Sequence, residues 1–172
     1  MASPTPIWFA VYAGVIVAAN WATATLGLVP IGFGLVVTAG TFAAGAALIV
    51  RDQLQVVSNR WVVLAAITIG AALSAVTSTP ALAVASGIAF AASELVDWSV
   101  FTPLARRSMA AAVLVSSLVA APVDTVLFLW LAGFPVTWQA VVGQLIVKTA
   151  MAGAVAAVIT ARGGRRAVPV RA

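Results

Sequence analysis

The chain has 172 residues, of which 63% are apolar and only 8% charged, with nine basic and four acidic side chains and a formal net charge of +5. Typical globular domains are roughly 45–50% apolar and about 25% charged, so this composition excludes a water-covered surface and leaves lipid as the suitable solvent. With neither cysteine nor histidine, it also excludes disulfides, zinc–thiolate sites and the commonest general base.

The opening Met1-Ala2-Ser3-Pro4-Thr5-Pro6 lacks a basic n-region, so the first apolar stretch is expected to be a true span rather than a cleaved signal. A helix crossing about 30 Å of hydrocarbon takes roughly 20 apolar residues. On that ruler the first span covers residues 7–26 and the second 31–50, ending at Arg51-Asp52. A third covers 61–77 and stops at Ser78-Thr79-Pro80, because proline cannot continue the hydrogen-bond ladder. The fourth covers 81–104 and the fifth 109–132; the turn Gly133-Phe134-Pro135 leads into the sixth, 138–161. Residues 162–172 form a basic cytoplasmic tail. The competing count is five spans with a short re-entrant pair around Pro30.

Cations orient the six spans. Arg51 and Arg60 follow the second span, Arg106 and Arg107 the fourth, and Arg162, Arg165, Arg166 and Arg171 the sixth. The loops after spans one, three and five carry no Lys or Arg. The positive-inside rule then puts both termini in the cytoplasm. The expected fold class is an all-α integral membrane protein, a bundle of six transmembrane helices with N and C inside. Because these cations sit at helix ends without interleaved aromatics, nucleic acid is not an expected partner.

Four ionisable residues fall within the spans: Glu94 and Asp97 on the fourth, Asp124 on the fifth and Lys148 on the sixth. Each costs about 2.5–3.5 kcal/mol at a helix centre on translocon scales, so such residues mark pathways, ligand sites or internal ion pairs. At 1.5 Å per residue Asp124 lies roughly 12 Å and Lys148 roughly 15 Å from the external helix ends, depths that suit a pair. Glu94 and Asp97 share a helix face at i, i+3, and the spans leave no cation within the membrane for them. An acid in that position binds something that donates hydrogen bonds or stays protonated. Asn20 on the first span and Gln144, one turn before Lys148, are candidates to line the same cavity.

Pro122 frees a carbonyl one turn earlier and kinks the fifth helix near Asp124. Trp21, Trp98, Trp130 and Trp138 lie near helix ends, as interface anchors do. Small residues at Ala10, Gly14, Ala18 and Ala22 permit close packing of the first helix, within the bundle or against a partner. No Gly-x-x-x-x-Gly-Lys-Ser/Thr loop, Gly-x-Ser-x-Gly elbow or His-Glu-x-x-His motif occurs, so neither nucleotide hydrolysis nor another catalytic activity is indicated, and no cofactor or metal is expected.

Three segments carry a resemblance: Ser93-Glu94-Leu95-Val96-Asp97-Trp98-Ser99-Val100-Phe101, Val123-Asp124-Thr125-Val126-Leu127-Phe128, and Gln144 with Lys148. In this order and spacing the chain, over roughly residues 34–160, resembles the queuosine precursor transporters of the vitamin uptake transporter family. Val50-Arg51 at the end of the second span also fits. It departs from the family pattern at Ala47, where many relatives carry an acid, while Asp52 follows the arginine here. The resemblance implies import of 7-deazaguanine bases, the 7-cyano and 7-aminomethyl precursors of queuosine, across the plasma (inner) membrane. One carboxylate would accept the N1–H and exocyclic amine of such a base together; Glu94 is the first choice, Asp97 the second, with Asn20 and Gln144 completing the polar edge. Asp124 and Lys148 would shape the pocket or move during transport. Two alternatives compete: a substrate-binding subunit of an energy-coupling-factor vitamin importer, docked through the small residues of the first span, and a structural membrane protein whose charges only lock helices. The partners implied are a small-molecule substrate and the bilayer, with an energy-coupling module or a second copy of the chain.

Overall fold

The computed structural model describes residues 4–161, the side chains of Leu48, Asp52, Gln55, Val56 and Arg60 excepted; the basic tail expected at 162–172 lies outside them. The described residues form six helices and a short hairpin: α1 (Thr5–Leu26), β1 (Leu28–Gly32), β2 (Leu35–Thr38), α2 (Thr41–Val57), α3 (Arg60–Thr77), α4 (Pro80–Ala105), α5 (Met109–Leu131) and α6 (Trp138–Ala161). The all-α membrane fold class holds. Helices α1, α4, α5 and α6 are long and apolar enough to cross a membrane, while Trp61–Thr77 and the apolar stretch Thr41–Arg51 are shorter.

Short polar side chains set the helix starts. The Asn59 side chain accepts hydrogen bonds from the backbone N–H of Trp61 and Val62 at the head of α3. Thr79, followed by Pro80 in the first turn, caps α4, and Ser108 caps α5. Thr137 Oγ1 accepts from Ala140 N at 3.3 Å at the start of α6. Each cap satisfies an amide that a helix start leaves without an intrahelical partner.

The second span differs from its expected bounds of 31–50. Residues Leu28–Gly32 and Leu35–Thr38 pair as antiparallel strands, and α2 begins only at Thr41. The reason is local. Gly32, Phe33 and Gly34 all adopt positive φ, a conformation that glycine accepts freely and a helix cannot contain. The flanking Val29, Ile31, Val36 and Val37 are β-branched and suit strands. Hairpin backbone near a membrane must be covered by protein. Here β2 packs on α6, and a Cβ on Gly143 would overlap the carbonyl oxygen of Val36. At the other end Gly40 N donates to Thr23 Oγ1 at 3.1 Å, and a Cβ there would overlap the Ala19 carbonyl.

Helix neighbours close into a ring in the order α1, α3, α4, α5, α6, α2. Tyr12, Ile16, Leu54, Val63, Ile67 and Phe90 fill one apolar cluster where α1, α2, α3 and α4 meet. A second cluster, built on Phe101, Met109, Ala112 and Val113, closes the α4–α5 turn.

Candidate functional site

Two buried polar assemblies occupy the bundle interior. The first is held by α5 and α6. Lys148 Nζ donates to Asp124 Oδ2 at 2.7 Å, to Thr125 Oγ1 at 2.8 Å and, at the limit, to Gln144 Oε1 at 3.5 Å. An ammonium has three donors, and all three are engaged. The expected Asp124–Lys148 pair therefore forms, with both side chains under one-tenth exposed. Among the described residues the other Asp124 oxygen, Oδ1, has no protein partner.

This pair lines a cavity enclosed by α1, the hairpin, α2, α4, α5 and α6. Asn20 and Thr23 enter from α1, Thr38 and Thr41 from the hairpin and the head of α2, and Ser86 with Phe90 from α4. Phe128 stands one turn after Asp124, and Gln144 one turn before Lys148. The space is about 320 Å³ including its mouth, at the lower end of the roughly 300–1,000 Å³ of small-molecule sites. Its clear interior admits little more than a water molecule, so a larger ligand requires the lining to part.

The hydrogen bonding of the lining is incomplete in a specific way. Ser86 Oγ donates to Asn20 Oδ1, and the hydroxyls of Thr38 and Thr41 bond one another at 2.9 Å. Asn20 Nδ2 and Gln144 Nε2, on residues only 1% exposed, have no partner. A buried donor left unpaired is costly, and here two of them border the same cavity.

The second assembly corrects the expectation that no cation remains for Glu94 and Asp97. Arg51 was expected in a loop after the second span; the hairpin delays the start of α2, so Arg51 falls inside that helix and is 1% exposed. Its Nε donates to Glu94 Oε1. Its Nη1 lies 2.6 Å from Asp97 Oδ2 as an ion pair rather than an aligned hydrogen bond. The guanidinium also sits 5.9 Å from the Phe101 ring centroid, within cation–π range. Arg51 serves two carboxylates at once because its planar fork presents several donors.

Of the six side chains proposed as substrate contacts, Asn20, Gln144, Asp124 and Lys148 are brought together around the cavity, while Glu94 and Asp97 are not among its lining. Glu94 lies one turn beyond Phe90 on α4, toward Arg51. The sequence reading missed Arg51, Ser86, Thr23, Thr38, Thr41 and Phe90 as site or near-site residues. For Ser86 and Phe90 a signal existed: they precede Glu94 by two turns and one turn on the same helix face. For Arg51 the signal was Gly32-Phe33-Gly34 between two apolar runs, a hairpin pattern. The tryptophans line no part of the cavity; Trp21, Trp130 and Trp138 are more than half exposed on the bundle's outer face, as anchors are.

Residues 9–161 match the family model described as "Putative vitamin uptake transporter". No curated protein and no solved structure matches the chain.

Proposed function

The chain belongs to the vitamin uptake transporter family, and from that premise we propose that it imports a modified purine base of the 7-deazaguanine type, a queuosine precursor, across the plasma (inner) membrane. The observation that carries this reading is the cavity itself, in which one carboxylate, two buried carboxamides and two phenyl rings converge. An ionised carboxylate has about four acceptor positions, and among the described residues Lys148 occupies one of those of Asp124. The remainder can take the N1–H and exocyclic amine of a guanine-like base, in charge-assisted bonds that a dry site strengthens. Phe90 and Phe128 offer ring faces for its plane. The role first given to Glu94 thus passes to Asp124, and the Arg51–Glu94–Asp97 cluster acts as a brace between helices.

The test is uptake of labelled 7-deazaguanine bases by cells that express the chain and lack another route. Wild type should accumulate label, and Asp124→Asn should not, even where membrane levels of the two proteins match. Absence of uptake and of binding for every deazapurine tried removes this reading.

One observation favours a second reading, the substrate-binding subunit of an energy-coupling-factor importer. Ala10, Gly14 and Ala18 form an exposed stripe on α1, with nothing within 4 Å of a Cβ placed on Gly14. Such a stripe admits a closely packed partner helix. Co-purification with an ATPase module would select this reading, and uptake by the chain alone would exclude it.

A further inference from the structure

The Arg51–Glu94–Asp97 cluster stands between the cavity and the cytoplasm. We propose that it is the cytoplasmic gate of the transporter, and that one proton taken up by its carboxylate pair opens it, so that an inward proton gradient drives import. The gate itself needs no particular substrate; its link to import rests on the reading of the chain as a purine-base transporter.

The helices that carry the cluster fix its position. In the ring order α1, α3, α4, α5, α6, α2, helices α2 and α4 stand opposite one another, so the Arg51–Glu94 contact crosses the bundle interior. Ala44 and Phe90 line the cavity. Arg51 follows Ala44 by seven residues and Glu94 follows Phe90 by four, about 10 Å and about 6 Å farther along their helices. Both steps lead toward the side of the α4–α5 turn, where the exposed Arg106 and Arg107 mark the cytoplasm by the positive-inside rule. Leu54, one turn after Arg51, packs there with Tyr12 and Val63. A solute leaving the cavity in that direction must first part Arg51 from its acids.

Charge makes this bridge responsive to a proton. One guanidinium faces two carboxylates, so with both acids ionised the three side chains carry a net negative charge, which is costly within a membrane. Glu94 accepts from Arg51 Nε. Asp97 Oδ2, on a residue 4% exposed, has its ion pair but no aligned hydrogen bond among the described residues. A proton bound by either acid turns a carboxylate into a neutral carboxyl, removes one of the two ion pairs tying α4 to α2 and leaves the cluster neutral. That proton belongs to the pair rather than to one residue. Of the other titratable groups, α1 offers Tyr12 alone, residues 61–77 of α3 offer none, and Asp124 of α5 is joined to Lys148 of α6. Helix α2 adds Asp52, whose side chain lies outside those described. Because the bridge closes the cytoplasmic side, the proton arrives from the cavity past Phe90, with Glu94, the most exposed of the three side chains, as its point of entry. After opening it leaves to the cytoplasm, and the restored ion pairs close the gate.

The gate can be read without a substrate. The chain has no cysteine, so Ala47→Cys is a lone reporter, fully buried one turn before Arg51 on the cavity side of the bridge. In inside-out membrane vesicles a membrane-impermeant thiol reagent reaches it only past the gate. Its labelling rate is taken relative to that of Arg107→Cys on the exposed turn, which cancels the pH dependence of the thiol itself. This ratio should rise roughly tenfold as the pH is lowered. Adding Glu94→Gln should give fast labelling at every pH, and Asp97→Asn carries the test if that variant fails to fold. Labelling that ignores pH with the cluster intact, or that keeps its pH response in a folded variant, overturns the gate. In proteoliposomes an inward proton gradient should raise the initial uptake of labelled 7-cyano-7-deazaguanine by wild type and not by Glu94→Gln. Equal wild-type uptake with and without the gradient overturns the coupling. Labelling that responds to pH beside no uptake of the base supports the gate and counts against the purine-base reading alone.

Discussion

Arg51 Nε donates to Glu94 Oε1 across 43 residues of chain, joining α2 to α4, which are not neighbours in the helix ring. The same guanidinium also reaches Asp97. Arg51→Gln leaves both carboxylates buried with no cation from this position. Breaking such a group from one side typically costs about 3–5 kcal/mol. The variant should lose most of its folded yield and melt earlier in detergent. Adding Glu94→Gln should restore part of that loss, and identical melting of the single and double variants would show that the contact holds nothing. Arg51→Lys should fall in between, since it keeps the charge and loses the fork.

The Asp124–Lys148 pair predicts a different pattern because it borders the cavity. Asp124→Asn or Lys148→Gln alone strands one buried charge, whereas the two together strand none. Folded protein, measured as the monodisperse fraction after extraction, should recover in the double variant relative to the worse single one. Transport should not recover, because Asp124 is the carboxylate available to a ligand. A double variant no better folded than the worse single one would mean that the two charges act separately.

Two glycines of similar appearance in the sequence should behave oppositely. Gly40 stands against the Ala19 carbonyl and Thr23 Oγ1, so Gly40→Ala forces backbone to move and should destabilise by about 1–3 kcal/mol. Gly14 faces open space, and Gly14→Ala should leave the isolated chain unchanged or more stable by up to about 1 kcal/mol. Thermal melting of both variants decides the matter, and equal effects would contradict the packing at the head of α2.

Topology is checked by reporter fusions. Arg106 and Arg107 are exposed at the α4–α5 turn, where the positive-inside rule puts them in the cytoplasm. A fusion after Arg107 should read cytoplasmic, and fusions at Phe33, at Pro80 and near Pro135 should read external. Phe33, fully exposed at the hairpin tip, is the most informative of these. A cytoplasmic signal there would require α1 to insert in the opposite sense or not to cross.

Composition and apolar run length alone determined the membrane class, because too few charges exist to cover a water-facing surface. The starts of α3, α4 and α5 are also set locally, by the capping side chains of Asn59, Thr79 and Ser108. The matching depths of Asp124 and Lys148 also predicted their contact, because neighbouring helices of known pitch leave few other pairings. Tertiary structure decided the rest. An apolar run such as residues 28–38 reads alike as helix or strand; the local turn at Gly32, Phe33 and Gly34 bends it into a hairpin, and packing against α6 covers that hairpin. That choice shifted α2 along the chain and carried Arg51 from an expected loop to the bundle interior, where it holds Glu94 and Asp97. The cavity followed from the same shift: Thr38 and Thr41 meet Asn20, Asp124 and Gln144 only because α2 begins where the hairpin ends. Convergence from this many elements is a property of distances between helices, which no spacing along one helix encodes.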